Sequence, residues 1–336
     1  MDSLNAIVLL SNYVFIPSLV YGSQLALGAL GVTIVFGIMR FANFAHGEMM
    51  SFATVSTIFI TWWFQSIGFT TGILPTALLA LPFGILITGL LVWAIERSVF
   101  SYYRQRKSKP VIFVIASVGV MFMLNGVVRL FIGTDEIIFM DGLKFLIKAG
   151  EFKKWSGLKE GLALKQTQVL TVLLAILAVS WLFWFLQKTK MGKAMRAFSD
   201  NEDLALLSGV DPEKVVRTTW FISAVLITLA GVLYGLDKSY KPLIYFHLLL
   251  PIFAAAIVGG IGNPFGAFLG GYVIAFSEIF LTYAYKKFFM YILPESMEPE
   301  SLVQLLSTDY KFAVSFSILV IVLLYRPSGI FKGKVL

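Results

Sequence analysis

Three stretches of this 336-residue chain hold side chains that are expensive among apolar neighbours. The first is Arg40-Phe-Ala-Asn43-Phe-Ala-His46-Gly47-Glu48, set between two apolar runs. An amide, an imidazole and a carboxylate at the edge of hydrocarbon must find partners, and Gly47 lets the chain turn. Two chemistries fit. The side chains could satisfy the backbone of a helix break, or they could line a path for a polar solute. Metal ligation fits poorly, because the only other histidine is His247 and there are no cysteines.

The second stretch is Gly259-Gly260-Ile-Gly262-Asn263-Pro264-Phe-Gly266-Ala-Phe-Leu-Gly270-Gly271. No Lys-Ser/Thr follows, so it is not a phosphate loop, and no Rossmann pattern surrounds it. Close helix packing is its main reading, with Gly266 and Gly270 as a small-xxx-small pair. A role of Gly259, Gly260 and Gly262 along a gated path can coexist with that. The third stretch, Met191 to Pro212, predicts a short helix over about 200–208. Ser199 and Glu202 are spaced as a capping box, Gly209 suits a helix stop, and Asp211-Pro212 starts the next helix. Leu204 and Leu207 flank Ala205 on one small apolar face. So short a helix is marginal alone in water. It either rests on its own membrane domain or lipid, or docks into a partner.

Glu278 sits in an apolar run, where an ionisable group is a functional candidate. Bracing between helices is the equal alternative. Arg129 lies near enough to a span end to snorkel. No Ser/His/Asp set, metalloprotease helix or paired-carboxylate site is present.

The elements that must position these groups are membrane spans. The chain is 58% hydrophobic and 14% charged, with a mean hydropathy of +0.84. Soluble domains carry roughly a quarter charged residues, so a bilayer supplies the apolar solvent. Apolar runs fall at about 7–39, 47–64, 74–95, 111–132, 167–187, 217–236, 243–258, 265–285 and 310–325. With roughly 20 residues per span, they predict an all-α, polytopic helical bundle of about eight transmembrane helices. Pro17 is expected to divide the first run, and 243–258 to be a re-entrant half-helix. The whole chain, 1–336, reads as a single transmembrane domain. Net charge is +8, and the basic residues cluster in short loops. Lipid headgroups therefore explain them better than nucleic acid does. Arg97, Arg104, Arg106, Lys107 and Lys109, and the tail with Arg326, Lys332 and Lys334, mark the cytoplasmic side. Threading from them puts 188–216 inside, and the N-terminus, 133–166 and 286–309 outside. The start, Met1 to Ala6, reads as retained.

Together these stretches resemble the LivH-type permease subunits of bacterial branched-chain amino acid ABC importers, a family shared with urea and amide importers. The resemblance rests on Asn43 to Glu48, on Arg196, Ala197, Ala205, Gly209 and Val210, on Gly259 to Ala267, and on Arg326, Pro327, Gly329 and Ile330. It covers nearly the whole chain in order, and departs at the lysine-rich segment 141–166. It implies a multi-pass protein of the bacterial inner membrane. The implied partners are a LivM-like second permease, two cytoplasmic ATP-binding subunits that hold ATP and Mg, and a periplasmic or lipid-anchored solute-binding protein. The chain itself would carry no cofactor and no ATPase site, since it lacks a Gly-x-x-x-x-Gly-Lys-Ser/Thr loop. Coupling to the ATPases would fall on the 188–216 loop: Arg196, Ser199, Asp200, Glu202, Asp203, Leu204, Ala205, Leu207 and Gly209. The translocation path would involve Asn43, His46, Gly47, Glu48, Gly259, Gly260, Gly262 and Glu278. Competing readings are an autonomous secondary transporter or channel, with Glu278 its best coupling carboxylate, and a membrane enzyme, for which no convergent polar cluster is found.

Overall fold

The computed structural model describes residues 2–70, 72, 74–133, 135–141, 144–294, 297 and 299–331. Lys332, Lys334 and Met1, used above, lie outside the described residues. The helices are α1 (Asp2–Met39), α2 (His46–Ser66), α3 (Ala77–Gln105), α4 (Pro110–Ile132), α5 (Ala149–Ser156), α6 (Gln166–Lys188), α7 (Lys190–Asp200), α8 (Glu202–Leu207), α9 (Pro212–Lys238), α10 (Ile244–Gly259), α11 (Pro264–Thr282), α12 (Lys286–Ile292) and α13 (Thr308–Tyr325). A short antiparallel ribbon, Phe145–Ile147 with Leu164–Lys165, brackets α5.

Among the described residues, seven helices are long and apolar enough to cross a membrane: α1, α3, α4, α6, α9, α11 and α13. Helix α2 is as long, at 21 residues, but richer in hydroxyl side chains. Helix α10 has 16 residues, a rise of about 24 Å against roughly 30 Å of hydrocarbon. The most apolar windows of α1 and α9 are 89% and 83% buried, against 33% for α4, 28% for α6 and 11% for α13. So α1 and α9 form the core, and the others turn apolar faces outward. Ile115, Phe122, Leu130, Leu177 and Leu324 are exposed. That much apolar surface is stable only against lipid or another apolar protein.

Without a hydrophobic drive between helices in lipid, close backbone contact and hydrogen bonds hold them. The second glycine stretch supplies that contact. A Cβ on Gly270 would lie 2.1 Å from the Ala255 carbonyl, and one on Gly271 2.6 Å from the Ala26 backbone. Helix α11 thus seats on both α10 and α1.

One expectation changes here. Pro17 does not divide the first run, because α1 is continuous across 38 residues. A single π-turn, Ser11–Phe15, precedes the proline and absorbs its missing N–H donor. The 243–258 run forms a 16-residue helix, shorter than a span, that ends at the Gly260–Gly262 turn. Helix α10 starts beside Tyr240, which pairs with Ile137, and His247 stacks on Phe312 at the start of α13. It finishes where Ile330 and Phe331, beyond the end of α13, donate to the Val258 and Gly259 carbonyls. It packs alongside α13.

The loops fall into two groups. Asn5 accepts from the Lys159 and Glu160 amides, Tyr291 donates to Glu160, and Gln65 donates to Asp141. Arg40 donates to the Ser199 carbonyl, and Glu96 binds Arg104 and Trp220. The N-terminus, 133–166 and 286–309 therefore share one end, and 96–109, 188–211 and 326–331 the other, the partition that charge threading gave.

Candidate functional site

The irregular backbone buried inside the bundle is the 40–45 break. Helix α1 ends at Arg40 in a left-handed conformation, φ 59°. Phe41 packs between Phe100 and Phe113, with ring centroids 5.2 Å away in each case. Asn43 accepts from the Ala45 amide at 3.1 Å and turns the chain into α2. The Phe44 amide donates to Ser117 Oγ at 3.1 Å. Broken backbone at membrane depth persists only where protein re-satisfies it, and these bonds do so.

His46, Gly47 and Glu48 then form the buried first turn of α2. The His46 ring presses on Gly31 of α1. Neither imidazole nitrogen meets hydrogen-bond geometry, although the Gly28 carbonyl faces the ring. A Cβ on Gly47 would lie 2.6 Å from the Tyr245 carbonyl, so only glycine lets α2 start against α10. Glu48 Oε1 accepts from Asn125 Nδ2 at 2.9 Å, while Oε2 is buried without a partner. Arg129 lies one turn beyond Asn125 on α4, and its buried Nε also lacks an acceptor. Ser51, one turn after Glu48, pairs with the Tyr240 hydroxyl at 2.7 Å. Tyr240 stacks on Tyr245, which donates to the Gly231 carbonyl.

Glu278 occupies a different place, between α1, α11 and α13. Its Oε1 accepts from the Ser315 hydroxyl. Its Oε2 lies 3.5 Å from Lys311 Nζ, and that ammonium sits 3.7 Å above the Tyr21 ring. The sequence reading found the carboxylate but not its countercharge in the first turn of α13. Glu96 was missed as well. It is buried, holds Arg104, and accepts from Trp220 Nε1 at 2.7 Å. A carboxylate followed eight residues later by an arginine was the available signal. Asn125 and Arg129, four apart within an apolar span, were the corresponding signal for the partners of Glu48. Arg129 lies within Coulombic reach of Glu48.

Gly259, Gly260 and Gly262 stand apart from both carboxylates. Gly259 abuts Gly266, and Gly260 abuts Gly329 of the tail. Asn263 caps α11 through the Phe265 and Gly266 amides and donates to the Phe331 carbonyl. Gly259 and Gly260 are thus closely packed, while Gly262 lines the cavity of about 420 Å³ beside α7.

At the same end lie α7 and α8. The Ser199 capping box is not formed. Ser199 lies inside α7, whose own cap is Thr189, and the extended Asn201 caps α8 instead, accepting from Leu204 N at 3.0 Å. So α8 is Glu202–Leu207 and packs on α7. Gly209 does stop it, at φ 81°, and Asp211 caps α9 through the Glu213 and Lys214 amides. Those bonds, the Lys214 amide foremost, hold the Asp211 carboxyl below its ordinary range. Ala205 faces inward, while Leu204 is 64% and Leu207 86% exposed. Arg196, Ser199 and Asp200 line a cavity of about 420 Å³ between α7, α1 and the start of α11.

The model of the family described as branched-chain amino acid transport system, permease component, matches residues 14–323. The LivH high-affinity branched-chain amino acid permease protein of Escherichia coli K12 is 31% identical over 92% of this chain and 91% of its own. The BraD permease protein of Pseudomonas aeruginosa is 27% identical over 94% of each chain. A probable LivH permease of Methanocaldococcus jannaschii is 30% identical over 79% of each. The α-helical membrane bundle and these matches agree along nearly the entire length. The chain belongs to the family of permease components of branched-chain amino acid ABC transport systems and is a multi-pass membrane protein.

Proposed function

We infer that this chain forms half of the translocation path of an importer for branched-chain amino acids in a bacterial inner membrane. A homologous LivM-like permease would supply the other half. Two cytoplasmic ATPases would bind ATP and Mg, and a solute-binding protein would deliver the amino acid on the opposite side. The solute assignment draws on the names of the relatives, rather than on the urea or amide branch.

The observation that carries the reading is α8. Six residues cannot hold a helix alone in water, yet α8 is capped at Asn201, stopped at Gly209 and backed by Ala205. It presents Leu204 and Leu207 outward at the end expected to be cytoplasmic. A short helix with fixed ends transmits a push without fraying. Burying one leucine in a partner groove contributes roughly 1.5–3 kcal/mol, more than tenfold in docking. Glu202 and Asp203 in its first turn would orient it, while Arg196, Ser199 and Asp200 lie behind it around the α7 cavity.

The test is reconstitution of Leu204→Asp and Leu207→Asp with the partner subunits. Both variants should keep the membrane fold and binding-protein docking, but release the ATPase or hydrolyse ATP without uptake. Wild-type uptake from both would place coupling elsewhere.

A further inference from the structure

We propose that Glu48 on α2 and Arg129 on α4 together form a station for the head group of a zwitterionic α-amino acid, whose ammonium meets Glu48 and whose carboxylate meets Arg129. This rests on the amino-acid permease reading and names the groups that hold the solute.

Glu48 is 1% exposed, with one oxygen bound by Asn125 and the other bare. Arg129 lies within Coulombic reach of it, yet the two form no ion pair within 4.0 Å, and the buried Nε of Arg129 has no acceptor. Opposite charges in an apolar interior gain most by closing on each other. Here they do not close: Glu48 Oε2 and Arg129 Nε are both buried without a hydrogen-bond partner. A ligand carrying both signs on neighbouring atoms fills both at once. An α-amino acid does so, whereas urea and simple amides carry neither charge. Asn125 fixes the carboxylate by its amide without neutralising it. Met121, Leu124 and Val128 on the same side of α4 are buried in the core, so an aliphatic side chain entering there would meet apolar surroundings. Tyr240 bounds the cluster through Ser51, and its backbone pairs with Ile137 in both directions, at 3.0 and 2.9 Å. The 135–141 segment therefore adjoins the station.

The test uses the complete importer, with both permeases, ATPases and binding protein, in proteoliposomes. Glu48→Gln keeps a carbonyl for Asn125 and removes only the charge. Uptake of radiolabelled leucine should fall at least roughly tenfold, the loss of one charge-assisted contact. ATPase activity stimulated by the liganded binding protein should stay within about twofold, because it is set at the two ends of the bundle. Arg129→Gln should behave alike, and Arg129→Lys should retain more uptake than Arg129→Gln. Leucine uptake near wild type in Glu48→Gln and Arg129→Gln overturns the station. So does a loss of assembly and ATPase activity in step with uptake, which would make the cluster a brace. The wild-type complex tests the underlying reading separately: uptake of urea or an amide, and of no amino acid, removes that reading whatever the variants do.

Discussion

Two buried carboxylates, Glu48 and Glu278, sit on helices of similar length and are both almost fully enclosed. Their surroundings differ in one respect. Glu278 has a hydroxyl on one oxygen; its other oxygen, like that of Glu48, has no hydrogen bond, but it lies 3.5 Å from the Lys311 ammonium, which is itself covered by an aromatic face. Glu48 has an amide on one oxygen and nothing on the other, with an unmatched arginine close by. A charge held within 4 Å of its opposite braces helices. A charge left incomplete within reach of its opposite is poised for something that comes and goes. On the proposal made above, Glu278 is the brace and Glu48 the solute contact, although in the sequence both are single glutamates in apolar runs.

The comparison breaks most sharply at Lys311. Lys311→Met leaves Glu278 buried without its countercharge. The expected cost is about 3 kcal/mol, the low end for a buried pair because the lysine side chain is 30% exposed. Thermal unfolding in detergent would show it, and the double change with Glu278→Gln should recover most of it. Glu278→Gln alone should keep near-normal uptake, because the amide retains the Ser315 bond. Abolished uptake from an intact assembly would instead give Glu278 a working charge.

Asn125→Leu comes next. It strips the remaining partner from Glu48 and should cost about 1–3 kcal/mol, with uptake falling alongside. Glu48→Gln should change thermal stability by less than about 1 kcal/mol, because the Asn125 bond persists. A stability loss matching that of Lys311→Met would erase the distinction between the two carboxylates.

The smallest effect concerns the segment beside the station. Glu136 bonds Ser239 and pairs with Lys241 at 2.9 Å, and these contacts, Ser239 foremost, hold its carboxyl below the ordinary range. A depressed folded value contributes stability above the unfolded one, near 4.3, and loses it as pH falls through the folded one. Hydrogen exchange at Ile137 and Tyr240 should therefore show no linkage to Glu136 between pH 5 and 8, with loosening confined to about pH 4 and below. A midpoint near pH 6 would point to another group.

The spans, their common ends and the glycine packing were legible, because hydrophobic run length and small residues at fixed spacing report directly on helix burial. The caps at Gly209 and Asp211 were legible for the same local reason. The Ser199 cap failed because Asn201, two residues on, competes for the same turn, and an upstream helix had already taken Ser199. The 243–258 run is a helix of 16 residues, shorter than a span, and the Gly-rich turn after it was the sequence signal for where it ends. What joined Glu48 to Asn125, or Glu278 to Lys311, was not legible. Those contacts join residues 77 and 33 positions apart, which only the assembled bundle brings together.

The central claim is that this chain is one half of an ATP-driven amino-acid path and has no motor of its own. ATP-dependent uptake of radiolabelled leucine into proteoliposomes tests it most directly, comparing this chain alone with the complex of both permeases, two ATPases and binding protein. Uptake should require the full complex and hydrolysable ATP, and vanish when any partner is omitted. Uptake by the purified chain alone, driven by an ion gradient or by the solute's own gradient, would contradict it.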